Sequence, residues 1–318
     1  MMPNSLDLLS RLLCPEVLRG PAQRLKQRLR IRLGRLKAMT SLEEFDRELD
    51  RIDRHSDPET HVRLLGELWL NHPWTPPADP MSPEYRQAVM QMYFEVSGRS
   101  TYEASVNEWV PDLGPIEQVH PYSSGSSLLL GEHLMAVGFL IRAMGLTPGM
   151  NVLEFGPGYG NTTIELARFG AHVTAVDLIS NYLELVGKRT QGLAGKVELV
   201  RSDMLEFRPT KKYDRILFFQ CFHHCSDPVR MLEQMKDWLA PGGIILFAGE
   251  PITEGFPVPW GLRTDGMSAY YIRRFGWLEL GFNSSFFKKL LTTQGWAFQV
   301  HQSMDVNRIS LYLASRAR

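Results

Sequence analysis

Three glycines at alternate positions, Gly156, Gly158 and Gly160, follow the apolar run Val152-Leu153-Glu154-Phe155, which carries one acid, Glu154. A helix-like run, Thr163 to Ala167, comes next. The pattern reads as a strand, a tight loop and the first turn of a helix. Glycine lets the backbone take positive φ and lets a ligand approach without a Cβ in the way. Loops of this kind lie at the carboxyl ends of parallel strands, where doubly wound sheets bind nucleotides. The dinucleotide fingerprint requires Gly-x-Gly-x-x-Gly. Asn161 stands where its third glycine would be, so the spacing here is Glu-x-Gly-x-Gly-x-Gly.

Further acids end further strand-like runs. Ala171 to Asp177 is one, and Val197 to Asp203 is another. After a fourth apolar run, Tyr213 to Gln220, come His223 and His224, and Glu250 closes a fifth, Leu239 to Ala248. Imidazole titrates near operating pH, so His223 and His224 are candidates for a general base, with one of them pointing into a site. Glu250 is a third candidate, as a base or as a ligand for an acceptor hydroxyl. Cys221, His223, His224 and Cys225 also offer zinc-type ligands, but structural zinc sites use wider, paired spacings, and no metal is expected.

Together these runs resemble class I S-adenosylmethionine (SAM) methyltransferases, with the glycine loop corresponding to their first motif. The resemblance implies a cofactor site. Glu154 lies near the cationic methionine ammonium, and Gly156, Gly158 and Gly160 form the loop beneath it. Asp177, with Leu178 beside it, holds the two ribose hydroxyls through paired charge-assisted hydrogen bonds. Asp203 reaches the adenine amino group, and Met204 packs on the ring. Phe219, Gln220 and Tyr122 complete the cofactor set. Gln220-Cys221-Phe222-His223-His224-Cys225-Ser226-Asp227-Pro228 resembles the His-His-x-x-Asp-Pro form of the motif after strand four in small-molecule methyltransferases.

Methyl transfer from a sulfonium is an in-line displacement, in which positioning of the nucleophile supplies several kcal/mol or more. Acceptor contacts are therefore expected from the ends of strands four and five and from added loops. The segment 251–282 mixes aromatics with charge, and Trp260, Arg263, Asp265, Tyr270 and Arg273 are its candidate substrate-binding residues. Its lack of clear periodicity over some thirty residues suggests a functional loop or lid. With His120-Pro121-Tyr122-Ser123, this segment resembles methyltransferases of bacterial glycan and polysaccharide assembly, over roughly 119–318. The expected activity is O-methylation of a carbohydrate or glycan-related acceptor. Two alternatives stay open. One is methylation of a small secondary metabolite. The other is a non-catalytic SAM-fold scaffold in a glycan-assembly complex.

The elements that must position these residues follow. The expected fold is α/β, a seven-stranded, mostly parallel Rossmann-like sheet with an antiparallel edge strand and helices on both faces. It occupies 119–318, and a helical region without strand alternation occupies 1–118. Ser41-Leu42-Glu43-Glu44 signals a helix start, His61 to Leu70 gives a short helix, and Ser82-Pro83 opens another that reaches about Val96. Ser127 to Met144 reads as an apolar helix leading into the first strand. Ser284 to Thr293 is a helix, and Trp296 to His301 and Arg308 to Ala314 form a final hairpin.

The chain has 318 residues with 35 basic and 35 acidic side chains, so no global charge draws it to nucleic acid. Three cysteines make no disulfide framework, which points to a reducing compartment. No apolar run approaches the roughly 18–20 residues of a bilayer span. A soluble, cytoplasmic protein is expected. Residues 21–38 place Leu25, Leu29, Leu33 and Leu36 on one face of a basic helix, which could dock on a partner or an anionic membrane surface.

Overall fold

The computed structural model describes residues 36–104, 118–303 and 309–317. The basic helix of 21–38 falls outside the described residues except at its end, and there Lys37–Met39 is a short strand, β1. The described chain forms two compact units that do not follow chain order. Residues 36–104 group with Pro251–Phe287, and residues 118–250 group with 288–317.

The first unit begins with β1, which pairs in parallel with β2, Leu68–Leu70. Three helices lie around this pair, Leu42–Ile52, Pro58–Leu65 and Pro83–Ser97. Their starts follow the expected chemistry. Ser41, Asp57 and Ser82 each accept a hydrogen bond from a backbone N–H of the first turn, at 3.1, 2.8 and 3.1 Å. The two strands interrupt a region read as helical. At three residues each they are too short to show alternation, and the second cuts off the helix expected to reach Leu70.

Segment 251–287 is folded rather than a bare loop. Strands β8 (Ile252–Thr253) and β9 (Trp260–Leu262) flank β10 (Leu280–Asn283), and a helix spans Gly266–Phe275. Its partners lie far away in sequence. The Tyr85 hydroxyl donates to the Trp260 carbonyl at 2.8 Å, and the Tyr93 hydroxyl donates to the Gly276 carbonyl at 2.7 Å. Gly266 allows this packing, because a Cβ there would lie 2.2 Å from the Leu65 carbonyl oxygen.

The second unit contains a seven-stranded sheet. Its strands are β3 (Asn151–Phe155), β4 (His172–Asp177), β5 (Val197–Arg201), β6 (Tyr213–Phe219), β7 (Leu239–Ala248), β11 (Trp296–Gln302) and β12 (Ser310–Arg316). The order is β11-β12-β7-β6-β3-β4-β5. Strands β3 to β7 are parallel, and β12 runs antiparallel to β7 within the edge hairpin. This is the Rossmann-like methyltransferase arrangement anticipated from the sequence. The chain starts centrally at β3, moves out through β4 and β5, then crosses back to β6. The reversal opens a crevice at the carboxyl ends of β3 and β6, where open α/β sheets bind ligands.

Two layers of apolar side chains hold these strand ends in place. On one face Phe155, Phe218 and Phe247 occupy facing positions of β3, β6 and β7 and stack at 5.0 and 5.5 Å. All three are essentially fully buried, and each contributes about 1.5–3 kcal/mol through burial. On the other face Val152, Leu217, Leu246 and Ala248 pack with Leu140 and Met144 of the helix Ser127–Met144. That 18-residue helix, with mean hydropathy 1.4, is long and apolar enough to cross a membrane by length and composition, which corrects the expectation that no apolar run approaches such a span. Here its Ala136, Val137, Leu140 and Met144 are buried.

Candidate functional site

The glycine loop spans the turn from β3 to the helix Asn161–Phe169. Gly156, Gly158 and Gly160 all take left-handed φ, at 59°, 52° and 74°. Their surroundings separate them. A Cβ on Gly156 would lie 2.4 Å from Cys221 Sγ, and one on Gly160 would lie 2.7 Å from Val186 Cγ2. A Cβ on Gly158 would meet nothing within 4 Å. The first and third glycines therefore let protein pack, and the middle one borders open space.

Glu154 lies beneath this loop. Its side chain is buried and accepts the Thr163 hydroxyl hydrogen bond at 2.6 Å. Burial, together with the charge of Asp177, pushes its carboxyl up to about 7, although the Thr163 bond works in the opposite direction. Asp177 ends β4, half-buried, and accepts the Ile179 backbone N–H at 2.9 Å. Burial raises it to about 6. Leu178, also half-buried, gives its carbonyl to Arg201. Asp203 lies two residues beyond the end of β5, since the strand stops at Arg201. It accepts the Leu205 N–H at 2.7 Å, and burial raises its carboxyl. Met204 beside it is half-buried.

Phe219 ends β6 and Gln220 follows it. Gln220 has φ of 54°, the one non-glycine residue with positive φ among those described. Left-handed backbone at a side chain without local compensation costs about 1–3 kcal/mol and tends to occur where a site needs it. Phe219 stacks on His133, with ring centroids 6.3 Å apart. The sequence reading missed His133. Its Nε2 is buried with no hydrogen-bond partner among the described residues, and burial lowers its pKa to about 4. A histidine among Leu128, Leu129, Leu130 and Leu134 was the available signal. Tyr122 is exposed, on a single 3-10 turn, Tyr122–Ser124.

Asn161, the residue that breaks the dinucleotide fingerprint, is buried. It donates to the His120 carbonyl at 2.9 Å and accepts from Arg189 at 2.8 Å. Arg189 also donates to the Tyr159 carbonyl, fixing the loop from outside. The Tyr159 hydroxyl is buried without a partner among the described residues.

After β6 the 3-10 turn Phe222–His224 carries the two histidines, with ring centroids 4.2 Å apart. His223 is buried and His224 half-buried. Asp227 accepts the Arg230 N–H at 3.0 Å, and Pro228 is the first residue of the helix Pro228–Trp238. The Asp-Pro of the motif is thus a helix start. Glu250, just past β7, accepts the backbone N–H groups of Cys221 and Phe222 at 2.8 and 2.9 Å and that of His223 at 3.1 Å. Its Oε2 also lies 2.7 Å from His223 Nδ1. Burial alone would raise this carboxyl, but His223 and the backbone donors outweigh it and hold it below the usual range.

The five expected substrate residues belong to the other unit and are engaged there. Trp260 and Tyr270 are buried. Arg263 bonds Asp265 and Glu279, and Asp265 caps the helix Gly266–Phe275 through the Ser268 N–H. Arg273 grips Asp46 with two hydrogen bonds, at 2.8 and 2.6 Å, and donates to the Val96 carbonyl. These contacts account for the aromatic and charged composition that suggested a sugar-binding loop.

The segment from β3 to the start of β7 holds the loop, the acids Glu154, Asp177 and Asp203, and the histidine pair. Residues 152–243 match the methyltransferase domain family. This segment is a methyltransferase domain. It is similar to phosphoethanolamine N-methyltransferase 1 of Arabidopsis thaliana, 30% identical over 110 residues, which cover 34% of this chain and 22% of that protein. A ubiquinone/menaquinone biosynthesis C-methyltransferase of Vibrio cholerae is 31% identical over 133 residues, covering 39% of this chain and 51% of its own. The chain thus spans about half, or less, of these curated relatives. Among solved structures, a complex of DhpI with SAH is similar at a TM-score of 0.47, with 21% identity over 64% of this chain and 93% of that one. The methyltransferase domain match ends before Glu250, so the carboxylate that clamps the histidine turn lies outside it.

Proposed function

We propose that the chain is a SAM-dependent methyltransferase that methylates a hydroxyl oxygen, with a carbohydrate or glycan-related molecule as acceptor. The observation that carries the cofactor reading is the division of labour in the loop. Gly156 and Gly160 pack against protein, whereas Gly158 borders open space, and two raised carboxylates accompany the loop, Glu154 before it and Asp177 at the end of the neighbouring strand. A cationic methionine end and a ribose diol suit that surround. Asp177 would hold the ribose hydroxyls, Asp203 the adenine edge, and the loop the methionine portion. SAM supplies an electrophilic methyl on sulfur. The chain's own task is to bind it, align an acceptor and remove the acceptor's proton.

A histidine at the end of β6 supports an acceptor that must lose a proton, which a hydroxyl does and a carboxylate does not. The carbohydrate assignment rests on the sequence resemblance over 119–318, and the buried Trp260 and Tyr270 add nothing to it. The second reading, a small diffusible metabolite, draws on relatives named for quinone biosynthesis and phosphoethanolamine. A transfer screen with methyl-labelled SAM tests both readings. Label in a sugar hydroxyl supports the first, and label in a phenol, a quinol or an amine of a small molecule supports the second and counts against the first.

A further inference from the structure

We infer that Arg189 is a positioning residue for cofactor binding, which holds the glycine loop in its binding shape by gripping the Tyr159 carbonyl and the Asn161 side chain together. The inference rests on the SAM assignment for its ligand, but its geometry lies wholly in the loop and its neighbours. One guanidinium nitrogen, Nη1, donates both to the Tyr159 carbonyl and to Asn161 Oδ1, the second at 2.8 Å. These two acceptors flank Gly160. The Gly160 N–H donates to the Pro157 carbonyl at 2.8 Å, so the peptide between Tyr159 and Gly160 is held at its oxygen and at its hydrogen. With Oδ1 held there, Asn161 turns Nδ2 the other way, and that NH₂ donates to the His120 carbonyl at 2.9 Å. Arg189 thus ties together three pieces of chain. They are the helix Ser180–Arg189, which it ends, the loop, and the segment before the 3-10 turn Tyr122–Ser124.

Stability alone does not account for an arginine here. Burial pushes its pKa down, and no carboxylate pairs with it among the described residues. Glu165, whose charge it feels, pairs with Arg168 at 2.7 Å. A half-buried cation that meets only neutral acceptors loses hydration without gaining a counter-charge. What it gives is geometry. The two hydrogens of Nη1 lie in the plane of the guanidinium, so the acceptors bonded to them keep a fixed relation. Three glycines with left-handed φ leave an untethered loop many shapes, and a grip from outside removes the need to order it when SAM arrives.

Calorimetric titration with SAH and amide hydrogen exchange, both on the full chain well below its melting temperature, give the test. Arg189→Met keeps an unbranched side chain and removes its donors. It should bind SAH about 10-fold more weakly or worse, and its Gly160 amide should exchange faster without ligand. Arg189→Lys should recover part of the affinity, because an ammonium can reach one acceptor. Asn161→Ala should also weaken binding. The double variant should lose little more than the worse single one, since both remove the same chain of bonds. An arginine that serves the fold alone would lower the melting temperature and leave SAH affinity unchanged. That result, or fully additive losses, would overturn the inference. Should Arg189→Met fail to fold, Asn161→Ala decides, and unchanged affinity there overturns it as well. No SAH binding by the wild type would instead defeat the cofactor assignment and leave the Gly160 exchange rates to decide the grip.

Discussion

The Glu154 carboxylate accepts the Thr163 hydroxyl at 2.6 Å, tying the end of β3 to the helix on the far side of the glycine loop. One bond thus spans the whole turn that carries Gly156, Gly158 and Gly160. Both residues are buried. Thr163→Val keeps the shape and removes the donor. It should cost about 1–3 kcal/mol, because a buried acid loses its partner. Urea denaturation should show the loss, and the mutant should also bind SAH more weakly. A variant as stable as the wild type would mean the bond does not hold the loop.

The glycines should respond differently to substitution. Gly158→Val should leave a folded protein that fails to bind SAM, since its side chain would enter the open space, at a φ that valine disfavours. Gly160→Ala should mainly destabilise the fold, because its Cβ would press on Val186. Thermal melts and SAH titrations on both variants separate the two effects. Equal loss of stability in both would contradict the assignment.

Asp177 sets a pH-dependent stability difference. Its folded pKa is raised to about 6, above roughly 3.9 for an unfolded aspartate. Between those values the native state holds the proton more tightly, so the contribution to stability is present at low pH and lost as pH rises through about 6. Asp177→Asn removes that loss. The mutant should match the wild type near pH 4 and melt higher than it at pH 8. Melting curves at both values check the sign, and a mutant less stable at pH 8 would refute it.

His133→Phe replaces a buried nitrogen that has no partner among the described residues with a ring of similar shape beside Phe219. Removing an unsatisfied buried group should be neutral or stabilise the cofactor-free protein by about 1 kcal/mol. Chemical denaturation gives the number. A large loss of stability would mean that His133 has a structural partner.

Part of the candidate site was legible in the sequence. The loop, Asp177 and the β6 and β7 ends sit where strand runs and glycines put them, because each is a local strand-to-loop signal. Asp203 was assigned to a strand end and lies two residues beyond it, since alternation cannot fix a boundary to one residue. Segment 251–287 was not legible. Its strands have two to four residues, and its contacts go to Asp46, Tyr85 and Tyr93, more than 160 positions upstream. Nothing local marks such pairings. Trp260, Tyr270 and Arg273 therefore read as binding residues, and the packing and ion pairs they make were not foreseen. The opposite happened at Glu250. Its carboxylate was noticed, but its role depends on three N–H groups that only the folded turn lines up.

Titration calorimetry with SAH, on the wild type and on Asp177→Ala, tests the cofactor assignment most directly. The wild type should bind with one site per chain. The mutant should melt cooperatively and bind about 10- to 150-fold more weakly, the loss of a charged hydrogen-bond partner worth about 1.5–3 kcal/mol. No heat from the wild type, or equal affinity in a folded mutant, would contradict it.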